Sequence, residues 1–375
     1  MTKKKSKKKK KVTSRKSNKK KKVTSRKSNK KFIVTTLFFL IGLIFLINGV
    51  TWIEKRAFIS KSHKEKIEII SHSFKDSNLL GSVILVKDGK TLLTESYGLS
   101  DYNKEIKNTN DTLYPVASLQ KKMTAVIIGQ LVSEGKLTYE TTVNTFFTDL
   151  EHGEEITIRD LLNHTSGYVT PEVPNDHVLT SEKEQLENVL DTSVFLEYGE
   201  PYYSNGNYSL LAAIISQIEE RSYKDVLQDR IFIPLNMENT YLWDDVPDEA
   251  STPKEYFYVN GRSYQVDYRT YSKELMSTLL GAGNVYSTVS DMALFFSALN
   301  NDTLLSEDEY NLLFNFHEPI MLSGNISEDG AMGGYSSYFY GDITNQTFII
   351  FLANQSTDSY PDQLLIQVYQ QLLLF

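Results

Sequence analysis

The chain has 375 residues, of which 41% are hydrophobic and 23% charged, a composition typical of one large globular domain or two small ones. It contains no cysteine, which excludes disulfide bonds, iron–sulfur clusters and a cysteine nucleophile. Its six histidines occur with neither HxxxH nor HxH spacing, so we expect no metal site and no cofactor.

The formal net charge of −7 conceals two regions of opposite charge. Residues 1–31 hold 18 of the 40 Lys and Arg residues and no Asp or Glu, which leaves 22 basic residues against 47 acidic ones in the rest of the chain. The sequence VTSRKSNKK at 12–20 recurs at 23–31. A repeat with so few apolar residues predicts a disordered tail.

The next segment, Phe32–Ile53, has no charged residue and consists largely of Phe, Leu, Ile, Val and Gly. Its length of about 22 residues would span roughly 30 Å of hydrocarbon as a helix. Because Lys-rich flanks face the cytoplasm, we predict a single-pass membrane protein with a cytoplasmic tail (1–31), a transmembrane helix (32–53) and an extracellular domain (54–375). A cleaved signal peptide is the alternative, but Ile47–Ser60 has no small-x-small cleavage site. The expected partner of the tail is therefore the membrane surface and not nucleic acid.

The extracellular part begins with a predicted helix and hairpin. His63–Phe74 has apolar residues at helical spacing, and Ser82–Tyr97 has two strand-like runs around Asp88-Gly89. The end of the chain mirrors this start with two strands and an amphipathic helix, at Tyr335–Tyr340, Thr347–Ala353 and Asp362–Phe375. The middle is predicted to be helical near 118–134, 157–163, 207–220, 223–230 and 290–299. We therefore predict one α+β domain, with an antiparallel sheet assembled from both ends and an inserted helical lobe.

The first candidate for chemistry is Ser118-x-x-Lys121. This spacing also occurs at other serines, namely Ser6, Ser17, Ser28, Ser133 and Ser251. Of these serines, only Ser118 opens a helix with a regular apolar stripe, on which Lys121 would be its neighbour and the helix N-terminus would favour a developing anion. A serine needs a base to become a nucleophile, and a buried lysine with a lowered pKa can serve. The alternative is an N-cap serine beside a surface lysine.

The second candidate is Tyr203-Ser204-Asn205, which follows a turn and precedes an apolar helix. We expect Tyr203 and Asn205 on one side of a short extended stretch. A tyrosine near a lysine can act as a general base through its phenolate, and an asparagine amide can bind a substrate carbonyl and the lysine. A core tyrosine before a helix cap is the alternative.

Together, Ser118-x-x-Lys121 and Tyr203-x-Asn205 resemble the motifs of the class C β-lactamase and low-molecular-weight penicillin-binding protein group of serine hydrolases. Four more stretches resemble that family, ITIRDLLNHTSGY (156–168), IFIPLNMENTY (231–241), GAGNVYSTVSDMALF (281–295) and GAMGGYSS (330–337). The resemblance covers nearly all of 80–375. It implies a five-stranded antiparallel sheet with terminal helices facing an all-helical lobe, with the active site between them.

The resemblance also implies acyl-enzyme chemistry. Ser118 would attack a carbonyl, Lys121 and Tyr203 would transfer the proton, and water would release the acyl group. The oxyanion would bind the backbone N–H groups of Ser118 and Ala331. His164, in the HTSG stretch, is expected to be structural.

The third motif departs from the family pattern. Where the family has Lys-Thr-Gly or His-x-Gly, this chain has Glu328-Asp329-Gly330, so the glycine is kept and the cation is replaced by an acid. In relatives the cation helps to bind a substrate carboxylate. Glu328 would repel one by on the order of 4 kcal/mol at about 4 Å and an effective dielectric of about 20. This exchange favours a substrate with an ammonium group, which Glu328 or Asp329 would bind.

The D-alanyl ester on teichoic acids carries such an ammonium group, and some members of the family resemble D-alanyl esterases. We therefore expect a cell-envelope hydrolase acting on teichoic acid, with Asn205, Glu328, Gly330 and Ala331 binding the substrate. Three alternatives stay open: a D,D-carboxypeptidase on peptidoglycan stem peptides, a hydrolase of another ester or peptide, and a non-catalytic envelope binding protein. The sequence predicts no oligomeric state.

Overall fold

The computed structural model describes residues 54–259, 263–266, 272–314, 326–356 and 360–375. The predicted tail (1–31) and membrane anchor (32–53) lie outside these ranges. Within them, none of the helices combines the length and the apolar character that a membrane span requires. The chain divides into two compact units, Met1–His63 and Lys64–Phe375. In the first unit, residues 54–59 are helical (α1).

The described helices that follow α1 are, in chain order, α2 His63–Asp76, α3 Gln120–Ser133, α4 Ile158–Leu162, α5 Glu182–Thr192, α6 Asn205–Glu219, α7 Tyr223–Leu227, α8 Lys273–Met276, α9 Val289–Ala298, α10 Glu307–Phe314 and α11 Tyr360–Leu372. Shorter helical turns occupy Ala117–Leu119, Val143–Thr145 and Gln228–Phe232. The predicted helices of the middle region are therefore confirmed in place, to within a few residues at their ends.

The described strands are β1 Gly81–Lys87, β2 Lys90–Tyr97, β3 Leu99–Asp101, β4 Ile106–Lys107, β5 Tyr114–Pro115, β6 Tyr168–Val169, β7 Val194–Phe195, β8 Thr240–Leu242, β9 Tyr256–Val259, β10 Ser263–Val266, β11 Val285–Ser287, β12 Ile326–Met332, β13 Tyr335–Asp342, β14 Thr347–Ala353 and β15 Gln355–Ser356. Five of them form the main antiparallel sheet in the order β12-β13-β14-β1-β2. This confirms the predicted sheet from both ends of the domain, because β14 pairs directly with β1.

Strand β14 is buried along its whole length, because helices cover both faces of the sheet. Alternate side chains point to opposite faces. Phe348 packs on Phe339 in the core shared with the helical lobe, with ring centroids 5.3 Å apart. Phe351 faces the other way and contacts Phe74 of α2 at 6.0 Å. The continuous apolar run of β14 thus places it at the centre of the domain.

Helix α3 is the centre of the helical lobe and packs against α6, α7 and α10. Met123, Val126, Ile127 and Leu131 on its predicted apolar stripe are fully buried. One continuous hydrophobic core joins these side chains to the sheet. The N-terminus of α3 is therefore held rigidly beside the edge strand β12, which contacts the turn at Ala117–Leu119.

Three described helices that follow α2, namely α5, α8 and α10, were not predicted from the sequence. On α5, Gln185 and Val189 are buried, and the partly buried Leu186 and Leu190 beside them pack against the core. A capping residue marks the N-terminus of α5, where the Ser181 hydroxyl accepts a hydrogen bond from the Glu184 backbone N–H at 3.2 Å.

Candidate active site

Ser118 lies in a tight helical turn directly before α3 and is partly exposed. The preceding residue, Ala117, has a φ of +46°, a left-handed conformation that costs an L-residue roughly 1–2 kcal/mol. Val116 is fixed from two sides: its N–H donates to the Val285 carbonyl at 2.9 Å, and its carbonyl accepts from the Ser337 hydroxyl at 2.7 Å. The surrounding sheet thus stabilises a strained turn that presents the Ser118 hydroxyl.

Lys121 lies one helical turn beyond Ser118, and the residue is only 6% exposed. Its Nζ donates to Ser118 Oγ at 3.0 Å and to the carbonyl oxygen of Ala282 at 2.7 Å. Burial lowers the pKa of Lys121 to about 7, although the nearby carboxylate of Glu172 acts in the opposite direction. A substantial fraction of Lys121 is therefore neutral near pH 7 and able to accept a proton.

Tyr203 also contacts the Ser118 hydroxyl. Its hydroxyl lies 2.5 Å from Ser118 Oγ, and its ring centroid lies 5.0 Å from Lys121 Nζ. Desolvation of the hydroxyl raises the pKa of Tyr203, and the acidic side chains around it add to this effect. Near neutral pH the phenol thus keeps its proton, and Lys121 is the better proton acceptor of the two.

The extended stretch predicted over Tyr203-Ser204-Asn205 is wrong at its last residue. Ser204 is the extended N-cap, and Asn205 is the first residue of α6. The side-chain amide of Asn205 donates to the carboxylate of Glu172 at 2.8 Å. Lys121 donates to the backbone carbonyl of Ala282. Neither Glu172 nor Ala282 was predicted to contact the site, because both come from segments without a regular hydrophobic period.

His164 packs beneath Tyr203, with ring centroids 4.5 Å apart. Its Nδ1 accepts the Ser204 backbone N–H at 3.2 Å and lies 3.2 Å from the side-chain amide of Asn207. Burial, followed by the positive charge of Lys121, lowers the pKa of His164 to about 4. His164 is thus neutral at physiological pH and supports the segment that carries Tyr203, as the sequence led us to expect of a structural residue.

The edge strand β12 lies beside Ser118. A Cβ atom at Gly330 would lie 2.7 Å from the backbone nitrogen of Ser118 and 2.6 Å from Ser337 Oγ, so only glycine fits there. Glu328 shares the face of Gly330, since side chains two residues apart in a strand point the same way. Ala331, the predicted second oxyanion residue, follows and lines the cavity in front of Ser118.

Glu328 was expected to be free to bind a substrate ammonium, but it is already paired. Its carboxylate lies 2.7 Å from Lys122 Nζ, and each side chain is 25% exposed. Lys122 Nζ also lies 4.5 Å from the ring centroid of Phe314 on α10. Sequence reasoning assigned no role to Lys122, because the Ser-x-x-Lys motif selects the lysine three residues after the serine.

These residues surround a cavity of about 870 Å³. Among the described residues, its charged lining consists of three acidic and two basic side chains, Glu172, Glu328, Asp329, Lys121 and Lys122. Lys121 is partly neutral near pH 7, and Lys122 offsets Glu328. Burial raises the pKa of Asp329, and the neighbouring carboxylates of Asp362 and Glu328 add to this. The cavity thus has an excess of negative charge.

Comparison with known proteins agrees with this geometry. A family model described as Beta-lactamase matches residues 74–371. A Bacillus subtilis protein that carries the name penicillin-binding protein PbpX is 26% identical over 326 residues, which cover 84% of this chain and 82% of the relative. The teichoic acid D-alanine hydrolase of Staphylococcus aureus is 27% identical over 260 residues, 68% of this chain. That alignment covers 63% of the relative, which is less than two thirds of its length.

Solved structures share the fold. The crystal structure of FmtA from Staphylococcus aureus superimposes with a TM-score of 0.72 and 22% identity, covering 84% of this chain and 88% of the other. A D-amino acid amidase from Ochrobactrum anthropi gives a TM-score of 0.70 and 20% identity, covering 82% and 98% respectively. At this identity the likeness supports the fold, and it confirms the predicted α+β architecture of an antiparallel sheet and helices.

Proposed function

The chain belongs to the β-lactamase family and is a serine hydrolase, and we propose that it removes D-alanyl esters from teichoic acids. The observation that carries this proposal is the excess of negative charge in the cavity in front of Ser118, where, among the described residues, Glu328 is offset by Lys122 but Glu172 forms no ion pair. Such a cavity favours a substrate whose acyl group is positively charged and disfavours one that carries a carboxylate.

In the proposed reaction, neutral Lys121 accepts the proton of Ser118 as Oγ attacks the ester carbonyl. The backbone N–H groups of Ser118 and Ala331 stabilise the oxyanion of the tetrahedral intermediate. Tyr203, which is protonated, donates its proton to the leaving alkoxide and recovers one from Lys121. Water then attacks the acyl-enzyme with the same groups in the reverse roles, which releases D-alanine and restores the Ser118 hydroxyl.

The relatives support two different substrates. The Staphylococcus aureus relative is named a teichoic acid D-alanine hydrolase, in agreement with the proposal. The Bacillus subtilis relative is named a penicillin-binding protein. One feature favours the second candidate, a D,D-carboxypeptidase: Lys122 places a cation beside the strand and could bind a peptide carboxylate if it were released from Glu328. The pairing of Lys122 with Glu328 makes this the weaker candidate.

The proposed location is the outer face of the cell membrane. The uncharged segment Phe32–Ile53 between a Lys-rich tail and an acidic domain supports a single-pass anchor with its N-terminus inside. A hydrolase held there would meet the polymers of the envelope, teichoic acid and peptidoglycan, within reach of its domain.

The test uses the full-length protein purified in detergent. Wild type, Ser118→Ala and the control Ser133→Ala are incubated with D-alanylated lipoteichoic acid and, separately, with a pentapeptide ending in D-Ala-D-Ala. Released D-alanine is then quantified. Ser133 is a matched control because it lies at the other end of α3 and has the same spacing to a lysine, Lys136.

We expect release from the teichoic acid by wild type and Ser133→Ala, and none by Ser118→Ala. Release from the pentapeptide alone would replace the proposal by the carboxypeptidase. Release from neither substrate by wild type would contradict both candidates.

A further inference from the structure

The three acidic side chains among the described residues of the cavity differ in the ion pairs and hydrogen bonds that they form. Glu328 is paired with Lys122 at 2.7 Å. Asp329 follows Glu328 in β12, so its side chain points away from the face shared by Glu328 and Gly330. The carboxylate of Glu172 accepts a hydrogen bond from the neutral amide of Asn205 and, among the described residues, forms no ion pair. Glu172 is therefore the cavity carboxylate with the most uncompensated charge.

Glu172 is held in place by contacts around Tyr203. It follows β6, and the loop is tied down where the Thr170 N–H donates to Ser204 Oγ at 3.0 Å and the Thr170 hydroxyl lies 2.6 Å from that of Ser193. The Asn205 amide then orients the carboxylate itself. The segment that positions the phenol of Tyr203 therefore also positions Glu172.

Glu172 lines the same cavity as Ser118, Lys121 and Tyr203. Its negative charge acts on both Lys121 and Tyr203, the two groups that contact the Ser118 hydroxyl. In an aminoacyl ester the ammonium nitrogen is two bonds of about 1.5 Å from the carbonyl carbon that Ser118 attacks. The group that binds the ammonium must thus lie beside this centre. A carboxylate has about four acceptor positions, so the bond from Asn205 leaves room for an ammonium.

We propose that Glu172 binds the α-ammonium group of the substrate's acyl part and is the residue that selects aminoacyl esters over uncharged esters. Asn205 then acts as a positioning residue that orients Glu172, in place of the substrate contact expected from the sequence. Glu328 acts on the substrate only weakly, because Lys122 neutralises it. This inference rests on the proposed esterase function.

The test compares two esters of the same alcohol, the D-alanyl and the D-lactyl ester of glycerol 1-phosphate, in which a hydroxyl replaces the ammonium. The full-length wild-type protein is compared with five variants: Glu172→Gln, Glu172→Asp, Asn205→Ala, Glu328→Gln and the surface control Glu154→Gln. The readout is the ratio of kcat/KM for the D-alanyl ester to kcat/KM for the D-lactyl ester. A smaller fraction of active protein lowers both kcat/KM values by the same factor, so it does not change this ratio.

We expect Glu172→Gln to lower this ratio about tenfold to hundredfold, the size of effect expected when a hydrogen bond between charged groups loses one charge. Glu172→Asp keeps the charge and should retain most of the ratio, and Asn205→Ala should lower it by a smaller factor. The ratio should stay within about threefold of wild type in Glu328→Gln, as expected for a charge that is already paired. Glu154→Gln should match wild type.

An unchanged ratio in both Glu172→Gln and Asn205→Ala, with D-alanyl ester still hydrolysed by wild type, overturns the inference and leaves the esterase proposal standing. A fall in the ratio with Glu328→Gln instead assigns the ammonium to Glu328. If wild type hydrolyses neither ester, the proposed function and the inference both fail. Thermal unfolding of each variant separates loss of the fold from loss of selectivity, and Glu172→Asp gives a second reading if Glu172→Gln does not fold.

Discussion

Helix α3 carries the same spacing of serine and lysine at both of its ends, and the two pairs have opposite environments. At the N-terminal end, Lys121 is buried, donates to Ser118 and has its pKa lowered to about 7. At the C-terminal end, Lys136 is exposed and lies 2.9 Å from Glu134 and 2.7 Å from Glu219. Hydrogen bonds to these two carboxylates raise the pKa of Lys136.

The serines differ in the same way. Ser118 Oγ faces the cavity between Lys121 and the hydroxyl of Tyr203, whereas the Ser133 hydroxyl donates to the carboxylate of Glu309 at the surface. Desolvation makes Lys121 a base, and ion pairs keep Lys136 a charged surface residue. The Ser-x-x-Lys spacing alone therefore does not make the lysine a base, because the environment of the lysine decides its pKa.

The largest expected effect tests the nucleophile. Ser118→Ala should lower kcat for D-alanyl ester hydrolysis by about 10⁴-fold or more, because residues of a catalytic unit act together. Ser133→Ala should remain within about twofold of wild type, since surface substitutions rarely perturb a distant site. Steady-state release of D-alanine measures both. Comparable losses in the two variants would remove the distinction between the two ends of α3.

The next largest effect concerns β12, the strand that lies beside Ser118 at the N-terminal end of α3. In Gly330→Ala the added Cβ would lie 2.7 Å from the Ser118 nitrogen, so the turn or the strand must move. We expect a loss in kcat of about 10²-fold, the size seen when an oxyanion donor is displaced. Retention of full activity by a folded Gly330→Ala protein would show that the close packing of Gly330 against Ser118 is not needed for catalysis.

The lowered pKa of Lys121 predicts a pH dependence that Lys136 cannot produce. For the D-lactyl ester, which has no titrating ammonium, kcat/KM should rise roughly fifty-fold between pH 5 and 7 and then level off, as Lys121 loses its proton. The corresponding profile of Lys136→Met should coincide with that of wild type. A flat profile over this range would exclude Lys121 as the base.

The same titration should affect stability. Below pH 7 Lys121 is charged in both states, and the folded protein bears the cost of burying that charge. Between pH about 7 and 10.5 the unfolded chain binds the proton and the folded protein does not, so the contribution of Lys121 to the free energy of unfolding rises with pH. Urea denaturation at pH 6 and pH 9 should show a smaller rise in Lys121→Met than in wild type.

The smallest effect is expected for Lys136→Met. Exposed ion pairs contribute less than about 1 kcal/mol, and Arg230 still pairs with Glu219 at 2.9 Å and with Glu134 at 2.6 Å after Lys136 is removed. Urea denaturation should therefore detect a change of less than about 1 kcal/mol, with kcat unaltered. A larger loss in the free energy of unfolding would mean that the ion pairs of Lys136 and Arg230 with Glu134 and Glu219 act as one cooperative unit.

The comparison of the two pairs also shows where sequence reasoning succeeded. The hairpin of β1 and β2 was predicted because Asp-Gly turns and strand-like runs are local signals, and Asp88 and Gly89 do have φ values of +50° and +73°. The stripe on α3 was predicted from apolar residues at helical spacing, and the structure buries it together with Thr124, Ala125, Ile128 and Gly129 on the other faces of the helix. Helix α5 was missed although Val189, Leu186 and Leu190 lie at helical spacing and pack against the core.

The site was predicted in part. Ser118, Lys121 and Tyr203 were chosen from the sequence, and the structure brings them together. The roles expected of Asn205 and Glu328 depended on which group each side chain meets, and those partners, Glu172 and Lys122, come from a loop and from the next position of a helix. Contacts of this kind leave no periodic trace in the sequence.

The sequence by itself determined the order of the elements, the apolar faces that build the core and the charge of each region, because these depend on local propensity and on burial of whole stripes. Only the tertiary structure decided the lowered pKa of Lys121 and which carboxylate, among the described residues of the cavity, forms no ion pair. Both properties depend on the solvent and the charges within a few ångströms of one atom, and the neighbours of Lys121 and Glu172 are brought there from distant parts of the chain by packing of the whole domain.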